Sequence, residues 1–160
     1  MSGEASARHE INETQLVELA AQLAPAVRDG GVIHLVGELG AGKTTFARAL
    51  LGALGVGERV KSPTYSLIES YRVGALDVHH LDLYRIADPG ELEWLGLPDL
   101  CGPHTLLLIE WPERGGGALP KPDLVITLEH AGLMRALRVS ASGRRGESLL
   151  VEWLYGDSTH

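Results

Sequence analysis

The stretch Val32-Ile33-His34-Leu35-Val36-Gly37-Glu38-Leu39-Gly40-Ala41-Gly42-Lys43-Thr44-Thr45 decides the fold. Its first five residues form a short apolar run that reads as a buried strand. From Lys43 to about Leu54 a helix follows, with Phe46, Ala47, Leu50, Leu51 and Leu54 on one face and Gly55 placed to end it. Between strand and helix, Gly37 to Thr44 meets every fixed position of the pattern G-x-x-x-x-G-K-[ST]. Glycines let a backbone curl so that successive N–H groups face inward at a helix N-terminus, which makes a nest for anions. Glu38, Leu39, Gly40, Ala41 and Gly42 are therefore expected to touch phosphates, with Thr45 beside them. Lys43 supplies a point charge to the β and γ phosphates. Thr44 offers a hydroxyl to Mg²⁺, a hard cation that prefers oxygen ligands and keeps several waters. Strand, loop and helix together point to an ATP and Mg²⁺ site in a P-loop α/β fold.

Outward from this segment, Asn12 to Val27 reads as an N-terminal helix, since Leu16, Leu19, Ala20, Leu23 and Val27 recur at helical spacing. Asn12 and Gln15 can form a capping box, and Asp29-Gly30-Gly31 breaks the helix. Alternation marks Leu67 to Val73 and Leu76 to Leu83 as an antiparallel hairpin turning at Gly74-Ala75. Asp88-Pro89-Gly90-Glu91 looks like a helix start, limited by Pro98. Thr105 to Ile109 is a fully apolar strand, and Arg114 to Pro122, with three glycines and two prolines, reads as a mobile loop. Leu124 to Leu128, Leu137 to Val139 and Leu149 to Trp153 suggest three late strands. The expected architecture is a mixed, mostly parallel central sheet flanked by helices, with one antiparallel hairpin. Residues 1–11 are expected to be a flexible N-terminus, 12–155 a single domain and 156–160 a flexible tail.

Composition narrows the function. The 160 residues, 44% of them apolar, suffice for one core without disulfides. Asp and Glu number 21 against 14 Lys and Arg, a formal charge of −7. The basic residues are scattered apart from Arg144-Arg145, which argues against independent nucleic-acid binding. One cysteine, Cys101, leaves no internal disulfide and suits a reducing compartment. Met1 to Glu10 lacks the basic and apolar regions of a signal peptide, and no apolar run approaches the ~18 residues that cross a bilayer. A cytoplasmic protein is expected.

Several residues are candidates to complete the phosphate site. Glu110 ends the apolar strand Thr105 to Ile109, where P-loop proteins place a Mg²⁺-binding acid. Asp82, near the end of a half-buried strand, could orient the attacking water or sit behind the metal; the bland alternative is a salt bridge with Arg85. Thr64, in Ser62-Pro63-Thr64, could reach the γ-phosphate side or bond within its own turn. His79 and His80 point to opposite strand faces, so they cannot form a metal pair; His80 shares a face with Asp82. Trp111 could cover a nucleotide or pack. Arg114 could reach phosphate, serve a partner or be solvated.

These blocks together resemble the TsaE family, also called YjeE, the small bacterial ATPase of tRNA threonylcarbamoyladenosine synthesis. The resemblance rests on Gly37 to Phe46, Ser62-Pro63-Thr64-Tyr65, His80-Leu81-Asp82-Leu83-Tyr84-Arg85 and Ile109-Glu110-Trp111-Pro112-Glu113. They stand in the family's order and spacing, across roughly residues 12 to 140. The resemblance implies slow ATP hydrolysis that becomes useful with TsaD and TsaB, tRNA being met only through that complex. It implies phosphate binding by Lys43, Mg²⁺ binding by Thr44 and Glu110, hydrolysis through Asp82, site architecture from Thr64 and Trp111, and a base-end contact from Thr14. Glycine enrichment after Pro112 departs from the family pattern, and the stretch from Arg144 is not distinctive; a contact from Arg135 is left open.

Other classes fit less well. A small-molecule kinase needs an acceptor pocket and an arginine-bearing lid, for which only the Arg114 loop is available. A GTPase usually carries Asn-Lys-x-Asp, absent here, and Asp99-Leu100-Cys101-Gly102 does not end an apolar strand. A nucleotide-responsive binding module with incidental hydrolysis stays open.

Overall fold

The computed structural model describes residues 4–56 and 67–155. In chain order the elements are β1 (Glu4–Ile11), α1 (Glu13–Leu23), β2 (Gly31–Gly37), α2 (Lys43–Leu54), β3 (Ile68–Val73) and β4 (Leu76–Asp82). There follow α3 (Leu97–Leu100), β5 (Thr105–Glu110), β6 (Leu124–Ala131), β7 (Met134–Ser142) and α4 (Gly143–Leu154). The strands form one sheet in the order β1-β7-β6-β2-β5-β4-β3. β4, β5, β2 and β6 run parallel; β7 and β3 are antiparallel to their neighbours, and β1 is antiparallel to β7. The expected mixed, mostly parallel sheet with an antiparallel hairpin is what forms.

β5 lies inside the sheet between β2 and β4, with five of its six residues buried, as a strand covered on both faces must be. Alternate residues feed two cores. Ile33, Leu35, Leu106 and Leu108 face α1, α2 and α4, whereas Leu107, Ile109, Leu81 and Leu83 pack beneath Leu92 and Leu97. α1 begins at the expected capping box: the Gln15 N–H donates to Asn12 Oδ1 and the Asn12 N–H to Gln15 Oε1, both at 2.8 Å. Pro25 cannot supply the N–H an α-helix needs, so the chain tightens into a 3₁₀ turn over Ala24–Val27. Among the described residues no helix is long and apolar enough to cross a membrane.

Four expectations require correction. Residues 4–11 are an edge strand rather than a flexible N-terminus, paired from Glu4↔Ser142 to Ile11↔Arg135. Its order comes from a backbone ladder to a distant strand, which leaves little apolar pattern in a polar sequence. Leu149 to Trp153 is the end of α4, not a strand. Gly146, Leu149, Leu150 and Trp153 are buried at spacings of three, one and three, which is helical periodicity; the β-forming composition of the short window concealed it. Arg114 to Pro122 contains ordered turns: 3₁₀ segments span Pro112–Arg114 and Gly116–Ala118. Asp88 does cap a helical turn with Glu91, but the turn is 3₁₀ over Pro89–Leu95, and Pro98 lies in α3 beyond it. The expected tail 156–160 lies outside the described residues.

Candidate functional site

The carboxyl ends of β2, β4 and β5 converge on the N-terminus of α2, the place where open parallel sheets hold ligands. β2 ends at Gly37, whose φ of +155° belongs to glycine and whose absent side chain leaves room for the Leu128 carbonyl. Gly42, at φ +113°, turns the chain into α2; a Cβ there would stand 2.9 Å from Leu16. These positions explain why this bend needs glycines. The loop backbone then meets the first, unpaired N–H groups of α2, the donors an anion would use.

A cleft of about 310 Å³ opens beside this bend. Of the predicted residues, Leu39, Gly40, Gly42, Lys43, Thr44, Thr45, Asp82, Glu110 and Trp111 line it. Exposed Glu38 and buried Ala41 do not line it, and the Ala41 N–H donates to the Glu38 carbonyl at 3.1 Å. Thr14 is exposed on the first turn of α1 and does not line the cleft; a helix turns about 100° per residue, and its neighbour Glu13 faces inward with Leu16. Thr64 lies outside the described residues. Sequence reasoning missed Glu13, Leu16, Tyr84 and Leu133 and left Arg135 open. Leu133 and Arg135 arrive on the β6–β7 turn, and the Arg135 guanidinium donates to the Gly40 carbonyl at 3.4 Å. Only the pairing of β6 with β2 brings that turn here, so no local pattern could have found it.

Two acids stand together. Asp82 and Glu110 are register partners on β4 and β5. Glu110 is buried, and both its oxygens are engaged: Thr44 Oγ1 donates to Oε1 at 3.0 Å, and His80 Nε2 lies 2.6 Å from Oε2. Asp82 Oδ1 accepts the Tyr84 N–H at 3.0 Å. No ion pair joins Asp82 to Arg85 among the described residues. Burial raises the Asp82 carboxyl above the usual aspartate range, and the Glu110 charge adds to this; the Tyr84 N–H, His80 and Lys43 pull the other way.

Lys43 is buried with its ammonium turned back on the loop, donating to the carbonyls of Gly37 and Glu38, the latter at 3.1 Å. It also lies 4.1 Å from the centroid of the Trp111 ring. Burial lowers its pKa, opposed by Glu110, Glu113 and Asp82. Trp111 adopts a left-handed backbone (φ 59°), uncommon for a bulky residue, and is anchored by its N–H to the Leu35 carbonyl at 3.3 Å. Tyr84 packs against Trp111 with centroids 4.9 Å apart, and Arg114 lies over both rings. Arg114 thus belongs to an aromatic–cation stack at the cleft mouth.

The donor set suits a hard cation bound together with phosphate. Thr44 and Glu110 offer oxygens already within hydrogen-bonding distance of each other. Among the described residues no group of three or more His, Cys, Asp or Glu side chains could hold a metal alone. A cation held by these two oxygens would have room in its shell for phosphate oxygens and water, which is how Mg²⁺ is usually bound in nucleotide sites.

A family model described as "Threonylcarbamoyl adenosine biosynthesis protein TsaE" matches residues 11–138. The tRNA threonylcarbamoyladenosine biosynthesis protein TsaE of Haemophilus influenzae is 40% identical over 119 residues, 74% of this chain and 75% of that protein. The protein of the same name from Bacillus subtilis is 36% identical over 143 residues, 89% of each chain. Among solved structures, YdiB of Bacillus subtilis superposes with a TM-score of 0.73 at 29% identity, covering 99% of both chains.

Proposed function

The chain belongs to the TsaE family, and from that premise we propose that it is the ATP-binding accessory protein of threonylcarbamoyladenosine synthesis in tRNA, a weak Mg²⁺-dependent ATPase when alone. The observation that carries this reading is the contact between Thr44 and Glu110 at 3.0 Å, beside Asp82 and below the glycine bend. One hydroxyl and one carboxylate at the start of a phosphate-binding helix are what a nucleotide-bound Mg²⁺ uses.

In this reading the backbone N–H groups from Glu38 to Thr45 hold the phosphates. Lys43 leaves the carbonyls of Gly37 and Glu38 to bind the β and γ oxygens. Thr44 and Glu110 would hold the cation, whose chemistry would be to draw charge from those oxygens. Asp82, with Oδ1 fixed by the Tyr84 N–H, turns its other oxygen to the attacking water and orients it. Trp111 and Tyr84 shield the phosphate end from bulk water.

The partners are the TsaD and TsaB proteins, which act on tRNA; this acidic chain meets tRNA through them, in the cytoplasm. The test is a reconstituted modification reaction with TsaD, TsaB, tRNA and ATP. Repeated rounds of modification are expected to need this chain with Asp82 intact. Undiminished multiple-turnover modification without the chain, or with Asp82→Asn in its place, contradicts the proposal.

A further inference from the structure

His80 is the residue the site does not yet account for. It is completely buried, on the face of β4 that also carries Leu76 and Val78, and its register partner on β5 is Leu108. On β3 its register partner is Glu69, while along β4 and β5 the residues of that face, Leu76, Val78, Leu106 and Leu108, are aliphatic up to Asp82 and Glu110. Nδ1 of its ring is buried with no hydrogen-bond partner among the described residues. An imidazole with one unpaired nitrogen is a poor choice for filling such a position, since a leucine would pack there without that cost. Its one side-chain hydrogen bond among the described residues is short: Nε2 to Glu110 Oε2 at 2.6 Å. A carboxylate can only accept, so a hydrogen bond from the ring to the Glu110 carboxylate takes Nε2 as its donor and leaves Nδ1 as the lone pair. That tautomer also leaves no N–H unsatisfied in the core.

Glu110 is thereby held at both oxygens. His80 fixes Oε2 from below, inside the sheet, and Oε1 is left facing Thr44 at 3.0 Å. Without the ring, a buried glutamate at a strand end could rotate about its terminal torsion, which is soft. We propose that His80 is a positioning residue for the cation site, holding Glu110 so that Oε1 and Thr44 Oγ1 present one fixed pair of oxygens. A hydrogen-bonded group behind a metal ligand commonly changes metal affinity about 10–100-fold when removed. The inference rests on the reading of Glu110 as a Mg²⁺ ligand.

The experiment measures ADP affinity as a function of Mg²⁺ concentration, by calorimetry, so that binding and not turnover is read. His80→Phe keeps ring volume and removes the donor; His80→Gln restores an N–H near the Nε2 position. His80→Phe is expected to need about tenfold more Mg²⁺ or beyond for the half-maximal effect, with Mg²⁺-free ADP affinity unchanged. His80→Gln is expected to recover most of the difference. A wild type that responds to Mg²⁺ and a His80→Phe variant that responds identically overturn the positioning role alone. A wild type indifferent to Mg²⁺ overturns the metal reading of Glu110 and the positioning role with it. Should His80→Phe fail to fold, nitrogen NMR of the wild-type imidazole decides: a proton on Nε2 whose resonance moves when Mg²⁺ joins bound ADP supports the role. A proton on Nδ1 instead, or an Nε2 signal unmoved by Mg²⁺, overturns it.

Discussion

Asp82 and Glu110 face each other across adjacent parallel strands, yet their carboxylates are held differently. Glu110 is tied at both oxygens by Thr44 and His80, whereas Asp82 is tied at one, by the Tyr84 N–H. The first arrangement suits a fixed ligand, the second a group that must meet a reactant.

For Asp82 this difference gives a prediction with two readouts. Asp82→Asn keeps the acceptor for the Tyr84 N–H and loses the charge. Nucleotide affinity should change little, while ATP turnover in the assembled complex falls by about 10²-fold or more. Stability moves the other way. The folded carboxyl titrates above the ordinary aspartate value of 3.8, so its ionisation opposes folding. That cost is absent at pH below 3.8, grows as pH climbs from there to the folded pKa, and is complete above it. Asp82→Asn should therefore melt higher than the wild type at neutral pH, with the gap closing as pH falls toward 3.8. A lower melting temperature at neutral pH would show that Asp82 is instead stabilised by a partner.

Lys43 resting on Trp111 makes the ring a reporter. If Lys43 leaves for a phosphate, the ammonium departs from the indole face and its fluorescence changes. Addition of ADP with Mg²⁺ should alter the emission of the wild type, and Trp111→Phe should bind ADP with the change largely abolished. The same signal in Trp111→Phe would assign the response to Trp94 or Trp153.

Much of this site was legible in the chain because its chemistry is local. The glycines at 37 and 42, Lys43 and Thr44 fall within eight residues, and the apolar run before Glu110 marks a buried strand by composition alone. What escaped depends on long-range pairing. β1 is ordered by β7 across more than 120 residues, and Arg135 reaches Gly40 only because β6 lies beside β2. His80 could be placed on the correct face but not on Glu110, since period two gives the face and only the β4–β5 register gives the partner. α4 was misread because Leu149 to Trp153 is too short a window to separate a buried helix end from a strand.

The corrected helix carries its own test. Trp153 is buried edge-on to Phe46 with ring centroids 6.1 Å apart, and its indole N–H donates to the Leu19 carbonyl at 2.9 Å. It ties α4 to α1 and α2. Trp153→Ala should cost about 3–5 kcal/mol in urea unfolding. Trp153→Phe should cost less, the remaining loss coming from the unpaired Leu19 carbonyl. A cost under about 1 kcal/mol for the alanine variant, the size of an ordinary surface change, would mean that α4 is not packed on this core.

The central claim is a phosphate nest completed by one lysine and a cation held between Thr44 and Glu110. It is tested most directly by calorimetric titration of ATP into wild-type protein and Lys43→Ala, each with and without Mg²⁺. The expected result is saturable binding by the wild type that Mg²⁺ strengthens, and a loss of roughly 10- to 100-fold in Lys43→Ala, the worth of about 1.5–3 kcal/mol for a charge-assisted hydrogen bond. Binding that is equal in both proteins and indifferent to Mg²⁺ would contradict the account.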